Sequence, residues 1–400
     1  MSGSGSSWRR NQAAVTVAAF IGFTGFTLVM PFLPLYLKQL GARDTASISI
    51  WAGLSLGVTP LVTAFMTPVW ARLASRTGRK LMVARSLGSF VFIMTLMAWV
   101  NHPWQVFALR VVQGFFAGYG PLAMMLAAES APPDQMAAAI GWVQTAQRLG
   151  PALGPVIGGV FAHAFGLRGA FYVSAVFYLG AFLLVLVGFQ EPARPAVRPT
   201  ERVVAPPTWA YFRAMPYFVI AIIVVFSLQL VDRSFGPILP LYLLEVGEPA
   251  TRVSFLTGVI FTVAAAAAAV GNQMTAWCLT RWTVGRLVIA SSIVAAVAAV
   301  VFGLGPAVGV MTLSAAVLGA ALGVGTTSIY TGVGQRVSSE ERAAAFSYLQ
   351  TAYLIGLTVS PVAAGFIGAR SMRAVFFVDA VGLALLAWFV SRRMPSAEAV

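Results

Sequence analysis

Long runs of apolar side chains, separated by short clusters of Gly, Pro, Arg and Asp, recur from one end of the chain to the other. A helix needs about 20 mostly apolar residues to cross the hydrocarbon of a bilayer. The runs and their punctuation predict twelve such helices, near 13–37, 48–70, 82–100, 104–127, 138–163, 169–189, 216–244, 253–278, 286–304, 309–333, 343–367 and 374–391. A membrane β-barrel would instead show alternating segments of about ten residues, and none is present. The first run, which follows "MSGSGSSWRRNQ", is too long for a signal peptide and reads as a retained span. The expected class is an all-α integral membrane protein.

The pattern also repeats itself. "PFLPLYLKQLG" at 31–41 and "PILPLYLLEVG" at 237–247 agree at seven of eleven positions, including both prolines, the tyrosine and the final glycine. With the same offset of 206, "AAAIGWVQTAQRLGPALGPVIGGVF" at 137–161 lies over "AAAFSYLQTAYLIGLTVSPVAAGFI" at 343–367. Spans one and five therefore correspond to spans seven and eleven, which predicts a parallel duplication of six helices each. The Pro- and Arg-rich stretch between the copies reads as a linker. The expected organisation is a bundle over 1–190, a cytoplasmic linker over 191–215 and a second bundle over 216–400.

Composition sharpens the class and removes others. Hydrophobic residues make up 59% and charged residues 10%, against about 25% charged in soluble proteins. The net charge of +14 arises because Lys and Arg collect at the chain ends, in the central linker and in the loops on one side of the predicted bundle. By the positive-inside rule that side is cytoplasmic, which places both termini inside, at the inner membrane and against anionic lipid. No basic run with interleaved aromatics sits on a soluble module, so nucleic acid is not an expected partner. Cys278 is the sole cysteine and can form no disulfide within the chain. With two histidines and one cysteine, no metal site of the usual zinc ligands is expected. The absence of a phosphate-binding Gly-rich Lys-Ser/Thr loop argues against a built-in ATPase. Neither an enzyme nor a cofactor is expected.

Three local motifs carry more. After span two, "WARLASRTGRK" holds Leu73, Ala74, Arg76, Gly78, Arg79 and Lys80 in a basic loop pattern. Span five carries Gly141, Gly150, Gly154, Pro155, Gly158 and Gly159, a spacing that lets helices approach closely and bend. Span four contains Arg110, Gln113 and Gly114 as Arg-x-x-Gln-Gly, and span one contains Gly25, Pro31 and Pro34. With the duplicated six-helix halves, these motifs resemble the major facilitator superfamily, and within it the twelve-helix drug:proton antiporters that include tetracycline and multidrug efflux pumps. The resemblance implies a monomeric, proton-coupled secondary exporter of small amphiphilic compounds that works by alternating access. It also implies an assisting role in proton transfer for Arg110. In that family the loop carries an aspartate of a charge relay and, before it, a glycine. Here Ser75 and Ala71 stand at those positions, which puts the relay in doubt.

Charged and amide side chains inside spans are expensive and mark functional sites by default. Asp232 in span seven is the leading proton-coupling candidate, the alternative being a structural ion pair. Arg233 lies about 100° around the helix from it and need not bond to it. Gln229, three residues earlier, shares its face. Arg148, among the span-five glycines, is placed to pair with Asp232 across a cavity or to meet an anionic group on the substrate. Three arginines against one aspartate predict a positive cavity suited to anionic or zwitterionic substrates. Gln113, Gln144, Asn272 and Gln350, with Arg148, Arg233 and Gln229, form the predicted substrate-binding set. Tyr36 and Tyr242 read as pathway-lining residues or interfacial anchors, Asp379 as a structural partner of a nearby arginine, and Glu129 as a gate or a solvated cap. Two further readings stay open: an exporter of one metabolite or a lipid flippase, and a transport-inactive membrane sensor.

Overall fold

The structure, a computed structural model, describes residues 4–132, 135–190, 209–305, 307–338 and 341–394. Among them the chain is helical throughout: α1 (Ser4–Leu28), α2 (Leu33–Gln39), α3 (Thr45–Thr77), α4 (Arg79–Trp99), α5 (Pro103–Phe116), α6 (Tyr119–Ser130), α7 (Met136–Leu183), α8 (Trp209–Arg213), α9 (Pro216–Ser234), α10 (Leu239–Glu245), α11 (Ala250–Leu279), α12 (Val284–Leu304), α13 (Val308–Arg336), α14 (Arg342–Gly368) and α15 (Met372–Arg393). Ten helical stretches among the described residues are long and apolar enough to cross a membrane. Phe65, Phe92, Trp99, Leu313 and Trp388 are well exposed, as lipid-facing side chains of a multi-pass protein are.

The ten differ from the predicted twelve at two places, both set by glycine. Spans five and six are the two arms of α7, which breaks at Gly166, where φ is +73°. Predicted span four is interrupted at Ala117 and Gly118, with Gly118 at φ +116°, and so becomes α5 and α6, each too short to cross. Such a break frees carbonyls that hydrocarbon cannot hydrate. Side chains of the same unit take them up: Trp70 Nε1 donates to the Phe115 carbonyl at 2.6 Å, Arg85 Nη2 to that of Phe116 at 3.3 Å, and Ser86 Oγ also to Phe116. The Arg85 guanidinium lies 3.5 Å from the centre of the Trp70 ring.

By spatial proximity the chain forms two compact units: Met1–Asp44 with Leu54–Arg198 and Gly247–Thr262, and Thr45–Gly53 with Pro199–Val246 and Val263–Val400. In the first, α1 packs along α7, and three motif glycines explain how. A methyl group on Gly150 would stand 2.8 Å from the Thr24 nitrogen, on Gly154 2.1 Å from Thr27 Oγ1, and on Gly158 1.9 Å from the Leu28 carbonyl oxygen. One methyl on Gly159 would meet the Ser254 carbonyl at 3.1 Å, whereas Gly141 faces open space. In the second unit Gly53 and Gly365 let α3 and α14 cross, with added methyls 2.3 Å from the Pro361 carbonyl and 2.5 Å from that of Ser49. The loop motif has a similar local logic. Gly78 takes φ +105° to start α4, and Lys80 donates to the carbonyls of Leu186 and Phe189 at 2.8 and 2.6 Å. A cation thereby closes the end of the helix that α7 leads into. The side chains of Arg76 and Ser75, and the linker residues 191–208, lie outside the described residues.

The duplicated segment has the same geometry in both copies. Pro31 and Pro34 in one, Pro237 and Pro240 in the other, stop a long helix and begin a short one, α2 or α10. Tyr36 and Tyr242 are fully buried. Tyr36 donates to the Met97 carbonyl at 2.5 Å and Tyr242 to the Gly303 carbonyl at 2.7 Å. Each acceptor is among the last four carbonyls of its helix, which have no partner within the helix. The closing glycines, Gly41 and Gly247, both adopt φ +95°. At Gly41 the chain turns with Ala42 N–H on Leu37 O and Gly41 N–H on Lys38 O, a left-handed helix stop that needs glycine. The expectation that the tyrosines line a pathway or anchor at the interface is therefore corrected: both are enclosed and bond a helix end.

Two predictions follow from this packing. Tyr36→Phe and Tyr242→Phe will each lower thermal stability in detergent by about 1 kcal/mol, the net worth of a buried hydrogen bond; unchanged melting would refute the clamp. Gly158→Ala will cost about 1–3 kcal/mol through overpacking while Gly141→Ala melts like the parent, and equal behaviour of the two would refute the assigned packing.

Candidate functional site

The first unit encloses a cation. Arg110 on α5 is fully buried, and α5 is held against α3 because Gly114 has no side chain: a methyl there would lie 2.6 Å from the Thr59 carbonyl. Thr59 Oγ1 in turn donates to the Arg110 carbonyl at 3.0 Å. Arg110 Nη1 donates to Gln113 Oε1 at 2.9 Å, one turn along the helix. Its Nε and Nη2, the Gln113 amide nitrogen and the hydroxyls of Tyr119 and Tyr178 have no hydrogen-bond partner among the described residues. Tyr178 stands near the guanidinium, and Phe90 packs between the two tyrosines with ring centres 5.1 and 6.3 Å away. A buried guanidinium so sparsely bonded is costly, and stability does not account for it.

The second unit carries an exposed ion pair. Asp232 and Arg233, near the end of α9, bond through Oδ2 and Nε at 2.9 Å, with 40% and 45% of their side chains exposed. The roughly 100° between neighbouring positions does not require them to bond, yet the two side chains meet at the helix end. Gln229 Nε2 reaches the same Oδ2 at 3.4 Å, and Tyr353 of α14 stands beside the guanidinium. Asp379 of α15 was expected to pair with an arginine. It is 9% exposed and instead meets Ser234 Oγ at 2.5 Å, with no ion pair among the described residues.

Other predicted contacts scatter. Asn272 accepts from Thr327 Oγ1 at 2.9 Å, and Gln144 and Gln350 are exposed. Gln113 is enclosed and serves Arg110. The side chains of Arg148 and Glu129 lie outside the described residues. Of the three arginines set against Asp232 in the sequence, Arg233 is the one that it pairs with, and Arg110 is enclosed within its own unit. Sequence reasoning missed Trp70, Arg85, Ser86 and Tyr178. The "AGYG" at 117–120 was the available sign that span four breaks and needs side-chain partners.

Residues 15–310 and 223–399 match the sequence pattern described as the Major Facilitator Superfamily. The chain belongs to the major facilitator superfamily. It is a membrane transporter and not an enzyme, and the resemblance drawn from its motifs is borne out. The transporter is 30% identical to multidrug resistance protein MdtG of Citrobacter koseri over 375 residues, 93% of this chain and 92% of that one. It is 29% identical to the protein of the same name from Serratia proteamaculans over 393 residues, 97% and 95% of the two chains. Among solved structures, a bacterial homolog of the human lysosomal transporter Spinster, inward-facing and unoccupied, superposes with a TM-score of 0.80 at 17% identity over 97% of each chain. A D-xylose-proton symporter superposes at 0.78 with 13% identity over 98% of each. At such identities the likeness is one of fold.

If Arg110 is retained for transport and not for folding, Arg110→Met will melt at or above the parent temperature, as replacing a buried charge by an apolar side chain often does. Its transport will fall by about tenfold or more, the scale of losing one functional proton-transfer group. A large drop in melting temperature with normal transport would reverse that assignment.

Proposed function

We propose that this transporter is a proton-coupled exporter of small amphiphilic compounds, drugs among them, that works by alternating access in the inner membrane with both termini cytoplasmic. The observation that carries the reading is the similarity, over more than nine-tenths of the chain, to proteins named for multidrug resistance. The proposed organisation is a six-helix bundle over 1–190, a cytoplasmic linker over 191–215 and a second bundle over 216–400, acting as a monomer among membrane lipids. Protons and the exported compound are its partners.

Asp232 is the proposed exchange site. Its side chain is partly exposed, and one carboxylate oxygen holds both Arg233 and Gln229. Proton and substrate compete for this site: the ionised carboxylate, with Arg233 and Gln229 beside it, is the form that receives the substrate, and protonation, which cancels its charge, releases it. Arrival of the next substrate in turn favours loss of the proton. Arg110 assists the proton's passage, and Gln144, Asn272, Gln350 and Arg148 complete the proposed contacts. Asp232 balances Arg233, so the positive excess that favours anions rests on Arg110, which is enclosed in its own unit, and on Arg148, and the panel of compounds spans all three charge types.

Energised inverted vesicles will test this. With the parent protein, at least one compound from a panel of anionic, zwitterionic and cationic drugs will release protons and collapse the pH gradient. With Asp232→Asn the same compound will not. Binding without proton movement would favour a metabolite exporter or flippase, and an unaltered response of the variant would make the Asp232–Arg233 pair structural.

A further inference from the structure

We infer that Asp379, through Ser234, is a second proton-carrying site of this transporter, whose protonation state is read by the backbone turn that bears Asp232. The inference rests on the proton-coupled reading and deepens it.

Ser234, the last residue of α9, is 3% exposed. Its Oγ lies 2.5 Å from Asp379 Oδ2 and 2.9 Å from the Val231 carbonyl oxygen. A serine hydroxyl has a single hydrogen to donate, so it cannot serve both acceptors. If Asp379 is ionised, the hydroxyl must turn to the carboxylate and abandon Val231, whose carbonyl is among the last four of α9 and lacks a partner in the helix. If Asp379 carries a proton, its O–H donates to Ser234 Oγ and Ser234 donates to Val231. Both bonds are then satisfied and α15 is tied to the end of α9. One proton therefore reverses a two-bond chain that spans Val231 to Ser234, the stretch that contains Asp232 and Arg233.

The surroundings make the proton matter. An ionised carboxylate buried without a paired cation is expensive, whereas the neutral acid is not. On α15 itself the nearest cation, Arg373, lies six residues earlier and faces Glu245 of α10 at 4.0 Å. Tyr242 of α10 is enclosed and bonded to the Gly303 carbonyl of α12. Beyond that, α12 offers Phe302, which packs on Phe376 and Phe235 at 4.9 and 5.0 Å, and its one charged residue, Arg286, is near its opposite end. On α9, Asp232 and Arg233 are occupied with each other. Between its ends α14 carries only Tyr348 and Tyr353 as titratable groups, the second beside Arg233. Among the described residues no group neutralises Asp379 and a hydroxyl is its one hydrogen-bond partner, which leaves the proton as the means of charge balance.

The test uses the full-length protein in lipid. Infrared titration of the wild type is expected to show a carboxylic-acid band that fades as pH rises, is missing in Asp379→Asn, and fades about one pH unit higher in Ser234→Ala, where the ionised form has lost its hydroxyl donor. In proteoliposomes, Asp379→Asn, which keeps a donor toward Ser234, is expected to exchange a fluorescent substrate at equal pH but to lose gradient-driven accumulation by about tenfold or more. Accumulation like the wild type in Asp379→Asn, or a band unmoved by Ser234→Ala, would overturn the inference while leaving coupling through Asp232 intact. A wild type that ignores the gradient would overturn the coupling reading and this inference together. Where Asp379→Asn does not fold, the midpoint shift in Ser234→Ala decides the matter.

Discussion

Hydrocarbon gives a polar group no partner, so every donor and acceptor that enters it must be answered from within the protein. That constraint organises this structure. Several helices that stop inside a unit leave carbonyls exposed, and a specific side chain meets them: Tyr36 and Tyr242 at the ends of α4 and α12, Trp70, Arg85 and Ser86 at the end of α5, and Lys80 beyond α7. The same constraint gives meaning to the few polar groups that are answered incompletely. Arg110 and Asp379 stand out because their surroundings leave donors or charge uncompensated, and such costs are retained where a charge has work to perform.

The residues that pack are duplicated and the residues that carry chemistry are not. Tyr36 and Tyr242, Gly41 and Gly247, Gly159 and Gly365, and Pro155 and Pro361 occupy corresponding positions, 206 apart. At the same offset, Asp232 faces Phe26, Arg110 faces Ala316, Ser234 faces Leu28 and Asp379 faces Val173. The duplicated scaffold supplies equal helix ends and crossings in both copies. The second copy then holds the carboxylates and the first the enclosed guanidinium.

Much of the fold was legible because membrane solvation writes it directly into composition: run length marks spans, and the offset of 206 marks the duplication. The tyrosine's role was not legible, because an aromatic at the end of a span reads equally as an interfacial anchor until its acceptor, 61 residues away, is known. The break in span four was hidden because an apolar run can continue across a backbone interruption when side chains elsewhere in the sequence satisfy it. Helical periodicity placed Asp232 and Arg233 on separate directions, yet both side chains are long enough to meet at a helix end. Summed charge does not reveal enclosure for a related reason, since it counts Arg110 like any other arginine although its side chain is fully buried.

Coupling of substrate movement to protons is tested most directly by transport in liposomes, with the purified protein and an imposed pH gradient. A compound that the protein moves should accumulate against its own gradient on the more acidic side, stop when the pH values are equalised, and travel the opposite way when the gradient is inverted. A flux with the same direction and rate under all three conditions would contradict proton-coupled exchange.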